Sequence, residues 1–184
     1  MAFELSSDLT GARLQSAALN WSKPEAQAAQ LRVQGVFGQP VQVNILALEA
    51  QGLSLEGTVE FDDEGLDRVV LSRLAVGDWL DGAATFIHQG AGAPMRLLLS
   101  GDLDLRSYGK LAGGDRAPSD ASRPMPMSLN LGRLQLSNNL FLSEVRADFD
   151  RGLAAGGAFA GRVNGGVRIT GQMSGQGTGL RLSV

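Results

Sequence analysis

The chain has 184 residues, a formal net charge of −3, 43% hydrophobic but only 5% aromatic residues, and no cysteine. That length can bury a sizeable core, as one all-β domain or as part of a longer array. Scattered arginines and only two lysines, Lys23 and Lys110, argue against a nucleic-acid surface or an anionic-membrane patch, and the lack of cysteine removes disulfides, thiol catalysis and cysteine metal sites.

In chain order, Phe3–Leu9 and Ala12–Leu19 read as strands, Trp21–Pro24 as a break, and Ala26–Gln30 as a turn or helical nub. Leu31–Phe37 alternates apolar and polar, the mark of a strand with one apolar face. Pro40 opens Val41-Gln42-Val43-Asn44-Ile45, after which Leu46 and Leu48 take the other phase, which predicts a bulge or a strand end. Leu53–Phe61 is the cleanest strand, with Ser54, Glu56, Thr58 and Glu60 on its wet side. Asp62-Asp63-Glu64-Gly65 is a polar hairpin loop, and Asp67–Val76, Trp79–His88 and Met95–Leu105 follow as strands. A short helical turn is expected at Arg106–Leu111, before a Gly/Pro/Ser-rich stretch. Strands resume at Met127–Ser137, Leu140–Asp150, Ala158–Val163 and Val167–Met173, the last two joined by Asn164-Gly165-Gly166, a tight-turn signal.

Five of these strands place a glycine where the next apolar side chain would stand: Gly35, Gly57, Gly101, Gly161 and Gly171. A strand glycine costs roughly 0.5–1 kcal/mol against alanine, so five in phase read as sites where the sheet bends inward. Leaving Leu53, Leu55, Val59 and Phe61 wet would forfeit about 1.5–3 kcal/mol each, so the apolar face must be covered. No long amphipathic helix is present to cover it, which leaves a second sheet, the same sheet curled over, or a lipid-like ligand. The expected fold is an all-β, elongated, curved antiparallel meander with an apolar concave face, the alternative being a β-sandwich. Residues 1–112 form a first group of strands, 113–126 a flexible connector, and 127–184 a second group continuing the sheet.

Chemistry-bearing patterns are weak. His88 is the single histidine, so no metal or cofactor site is expected, and Asp62-Asp63-Glu64 lacks calcium-loop spacing. Asp102 with Asp104, and Asp148 with Asp150, share faces as paired carboxylates, yet they alternate with Leu or Phe as a polar outer face does. Arg146, Arg162, Arg168 and Arg181 fall on polar phases, where they flank a lipid headgroup path or serve edge protection and solubility. No enzymatic role is expected. The first eight residues lack the basic and apolar regions of a signal peptide, and no run approaches the roughly 20 apolar residues of a spanning helix. Thr178–Val184 stops while still alternating, as expected of a piece of a longer chain whose anchor and address lie outside it.

Gly52–Asp62 followed by Leu66–Leu74 resembles the repeated strand pairs of AsmA-like proteins, in particular of their YhdP branch. Leu97–Arg106 is similar to that family's strand, glycine and aspartate before a short helical turn, and Ala158–Gly171 to its glycine-rich hairpin. The resemblance implies a U-shaped sheet in the periplasm of a Gram-negative bacterium, part of a longer protein anchored in the inner membrane. It implies a hydrophobic groove conducting phospholipid or another acyl-chain lipid between the membranes, without catalytic residues. Envelope protein partners are possible under it, and on the scaffold alternative a closed core would serve one of them. The groove lining expected from the matching strands is Leu53, Leu55, Val59, Phe61, Leu97, Leu99, Phe159, Val163, Val167 and Ile169.

Overall fold

The computed structural model describes residues 1–16, 19, 21–63, 65–107, 125–150, 155–176 and 179–184. They form an all-β protein that divides into two compact units, Met1–His88 and Gln89–Val184. The division precedes the expected connector, most of which lies outside the described residues, as does the helical turn beyond Ser107.

In the first unit the strands are β1 (Ala2–Ser7), β2 (Leu14–Ser16), β3 (Trp21–Lys23), β4 (Gln30–Val36), β5 (Gln42–Ala50), β6 (Leu53–Asp62), β7 (Gly65–Val76) and β8 (Leu80–Ile87). One sheet runs in the order β1-β4-β5-β6-β7-β8, every pairing antiparallel, and β2 and β3 form a small hairpin of their own. Trp21-Ser22-Lys23, expected as a break, is therefore a strand. Lys23 explains why it is one. Its side chain is fully buried, and Nζ donates to the carbonyls of Leu9 and Ala12 at 2.7 Å and of Pro24 at 3.3 Å. Leu9 holds a left-handed backbone (φ 49°), and the Ala29 amide bonds to the Asp8 carbonyl at 2.8 Å. A buried cation shared by three carbonyls thus locks the crossover from β1 to β4.

In the second unit the strands are β9 (Arg96–Asp104), β10 (Met127–Ser137), β11 (Leu140–Phe149), β12 (Gly157–Val163), β13 (Arg168–Gln176) and β14 (Gly179–Ser183), hydrogen-bonded in that order. One pairing departs from the expected meander: β9 and β10 are parallel, from Met127↔Leu97 to Gln135↔Asp104. A tight turn cannot join parallel neighbours, whereas the long stretch 105–126 suffices for a crossover. The β12–β13 hairpin is the type I′ turn expected, with Asn164 at φ 47° and Gly165 at φ 73°. The buried cluster of this unit is Leu129, Leu131, Leu134, Leu142, Val145, Ala147, Phe149, Phe159 and Met173.

The phased glycines do different jobs. At Gly35, Gly57 and Gly171 a neighbouring strand's carbonyl oxygen (Gln42, Val70, Ser183) lies 2.2, 2.1 and 2.0 Å from where a Cβ would stand. Gly157, outside the expected set, meets the Asp148 oxygen at 1.9 Å in the same way. Three of these glycines also receive a cross-strand ring: Phe3 over Gly35, Phe149 over Gly157 and Phe159 over Gly171. The empty apolar position is filled by a phenylalanine, as when an aromatic side chain covers a strand glycine. Gly101 instead takes a positive φ (124°) where the β9–β10 register slips. Gly161 has no such constraint, its nearest would-be contacts lying at 3.4 Å.

Two outcomes follow for stability. Lys23→Met should cost roughly 2–4 kcal/mol by leaving buried carbonyls without donors, read as a lowered urea midpoint from Trp21 and Trp79 fluorescence; an unchanged midpoint contradicts the lock. Gly57→Ala should cost at least about 2 kcal/mol, while Gly161→Ala should stay within about 1 kcal/mol of the parent. Equal costs for the two would refute the distinction between them.

Candidate functional site

Register decides which side chains share a face, because a one-residue slip moves a strand's whole apolar set to the other side. In the first unit three transverse rows line up. The first is Phe3, Gly35, Val43, Val59, Val69 and Phe86; the second Leu5, Val33, Leu46, Gly57, Leu71 and Ala84; the third Leu31, Leu48, Leu55 and Leu74. Bulges keep the rows aligned. The phase change in β5 falls between Val43 and Leu46, where the sequence places it, and a second lies between Leu71 and Leu74 in β7. Across the sheet, the other face carries Glu4, Gln34, Arg32, Glu56, Arg73 and the Arg68–Glu60 ion pair at 3.3 Å.

Burial along this apolar face is graded. Leu53, Leu71, Leu74, Val76, Trp79, Leu80 and Ala84 are buried, and the Trp21 indole donates to the Gln51 carbonyl at 2.9 Å at the same end of the sheet. Toward the other end Val33, Val43, Leu46, Leu48, Leu55, Val59, Phe61, Val69 and Phe86 are half-buried, and Leu5 is 53% exposed. These strands present a wide greasy surface that their own side chains do not bury.

The ten expected lining residues divide between the units. Leu53 is buried in the first unit, with Leu55, Val59 and Phe61 half-buried beside it. Phe159 is a core residue of the second unit, and Leu99, Val163 and Ile169 pack against that core; Leu97 is half-buried on β9. Val167 stands at the hairpin tip, outside β13 and 73% exposed. There β13 has only β12 beside it, since β14 reaches no farther than Gln172. The apolar surface left incompletely covered in the first unit extends over β4 and β5, whose alternation was the signal for it, although those strands lie outside the expected lining.

One member of each acidic pair is engaged in ordinary surface bonding. Asp148 accepts from Ser128 Oγ at 2.6 Å, with Arg96 3.7 Å away. Asp104 accepts from the Arg106 guanidinium and, at 3.0 Å, from the Arg106 amide, which ties the end of β9 to the helical turn at 105–107. The Arg106 side-chain bond holds the Asp104 carboxyl below its ordinary value. His88 donates its amide to the Asp67 carbonyl at 2.7 Å. Among the described residues no acid, histidine or cysteine cluster could hold a metal, and no helix is long and apolar enough to cross a membrane.

No family model, curated protein or solved structure matches the chain.

The depressed carboxyl of Asp104 stabilises the fold above its unfolded pKa of about 4, and that share is lost as pH falls through the folded value below it. Asp104→Asn should therefore lower the urea midpoint more near neutral pH than near pH 3. An equal deficit at both pH values contradicts the assignment.

Proposed function

We propose that the first unit binds acyl chains along its apolar sheet face, as a non-enzymatic segment of a bridge-like phospholipid-transfer protein of the Gram-negative envelope. The observation that carries the acyl-binding reading is the set of three in-register apolar rows, two crossing six strands and one crossing four, most of whose members are half-buried. Fully covering one such Leu, Val or Phe is worth about 1.5–3 kcal/mol, so several left half-wet make a strong attraction for hydrocarbon. The rows offer no polar group to orient a headgroup, which suits a surface selecting chain over head. The envelope, the two membranes and the periplasm come from the resemblance of Gly52–Leu74, Leu97–Arg106 and Ala158–Gly171 to AsmA-like proteins, the anchor belonging to other parts of such a protein.

A scaffold reading is favoured by a different observation, confined to the second unit. There Leu131, Leu134, Leu142, Val145, Phe149 and Met173 are all at most 2% exposed, a core already covered by the protein itself. The two readings divide the labour: the first unit binds, and the second holds strands in place, with a protein partner possible for it.

Delipidated protein should bind a fluorescent fatty acid, and Leu48→Asp and Val59→Asp should each weaken that binding at least about tenfold with the circular dichroism unchanged. Leu134→Asp should instead unfold the second unit. Binding that survives both face substitutions refutes acyl binding at this face.

A further inference from the structure

The polar face of the second unit carries a concavity of about 550 Å³ lined by Asn130, Gly132, Glu144, Arg146, Arg162 and Arg168. Its walls follow from register. Arg146 on β11 pairs with Ala160 on β12, and Arg162 on β12 pairs directly with Arg168 on β13. Ala160 and Gly132 present no bulk, so three guanidinium groups from three strands surround an open floor.

Arg162 is held in place, its Nε donating to Glu144 Oε2 at 3.0 Å and its Nη1 to the Gly166 carbonyl at 3.2 Å. Glu144 reaches it from a bulged position with φ 51°, where the β11–β12 register shifts between Ser143 and Arg146. The side chains of Arg146 and Arg168 make no hydrogen bond or ion pair among the described residues. Like charges directly opposite on neighbouring strands repel, and the Arg162–Arg168 pair is such a case. Asp102 stands at the rim, its carboxylate oxygen 2.9 Å from where a Cβ on Gly132 would be. Glu144 and, at the rim, Asp102 offset two of the three arginine charges, which leaves the concavity net positive. A contrasting cleft in the first unit, about 560 Å³, sets Arg32 against both Asp8 and Glu49 and carries a net negative charge.

We propose that Arg146, Arg162 and Arg168 form a binding site for a phosphate group. Guanidinium forks match phosphate oxygens two at a time, and an oxyanion answers the net positive charge, gives the Arg146 and Arg168 guanidinium groups a partner and relieves the Arg162–Arg168 repulsion. The concavity has room for more than a bare ion, and the phosphate we infer is that of a free phosphate ester or a phospholipid headgroup. The site lies in the second unit on its polar face and is independent of acyl binding in the first.

The test uses the full chain, inorganic phosphate and vesicles of phosphatidylcholine with and without phosphatidylglycerol, at constant ionic strength. Phosphate should shift the arginine Nε–H resonances saturably, and Arg146→Gln and Arg168→Gln should each weaken it at least about tenfold. Arg133→Gln is the control, since that side chain is held by Gln135 at 2.9 Å and lies 4.0 Å over the Phe141 ring. It should leave the affinity unchanged. Co-sedimentation with phosphatidylglycerol vesicles, competed by phosphate and lost in both variants, assigns the headgroup as source; saturable phosphate binding without sedimentation assigns a free ester. Absence of saturable phosphate binding, or binding and sedimentation that persist in both variants, overturns the proposal. Fatty-acid binding should be the same in all of these proteins, so failure here is separable from failure of the acyl site.

Discussion

The structure depends on strand register, and register depends on a few places where one strand's carbonyl enters the space of its neighbour's missing side chain. Gly57 accepts the Val70 oxygen and Gly35 that of Gln42, each beside a slip in pairing. A Cβ at either place would push the neighbouring backbone away and undo the local pairing. Because side chains alternate with period two, that loss would reach every row of the apolar face. The cost of glycine in a strand is thus offset by the continuity of the surface it permits.

That continuity has opposite consequences in the two units. In the second, aromatic rings complete the arrangement: Phe149 covers Gly157, Phe159 covers Gly171, and the surrounding leucines close into a core. In the first, Phe3 covers Gly35 and lies 4.6 Å from Phe37, itself 55% exposed, so the apolar face remains open to solvent at that end. The same local device therefore yields a closed core in one unit and a greasy surface in the other. Polar chemistry has its own place: the three arginines of β11, β12 and β13 stand on the face away from the core.

Much of this was legible in the sequence, since period-two alternation located the strands and the Asn164-Gly165 turn carried its own conformational demand. The change of phase after Ile45 announced a bulge that the pairing of β5 with β6 contains. Other features depend on distant partners and leave no local trace. Lys23 reads as a loop cation until Leu9 and Ala12 are brought to it. The parallel pairing of β10 with β9 is decided by a crossover, for which alternation carries no signal. The glycines looked alike as gaps in a pattern, yet Gly161 and Gly57 differ in what lies opposite, a tertiary fact. For the candidate site, the apolar phases of β4, β5 and β6 were readable, whereas their alignment into common rows needed the register.

The most direct measurement is methyl NMR of the intact protein with a fatty acid spin-labelled near its methyl end. The account predicts line broadening at Val33, Val43, Leu46, Leu48 and Val59, fading toward Leu74 and Val76, with Leu131 and Val145 sharp. Broadening confined to the second unit, or none at saturating fatty acid, would contradict it.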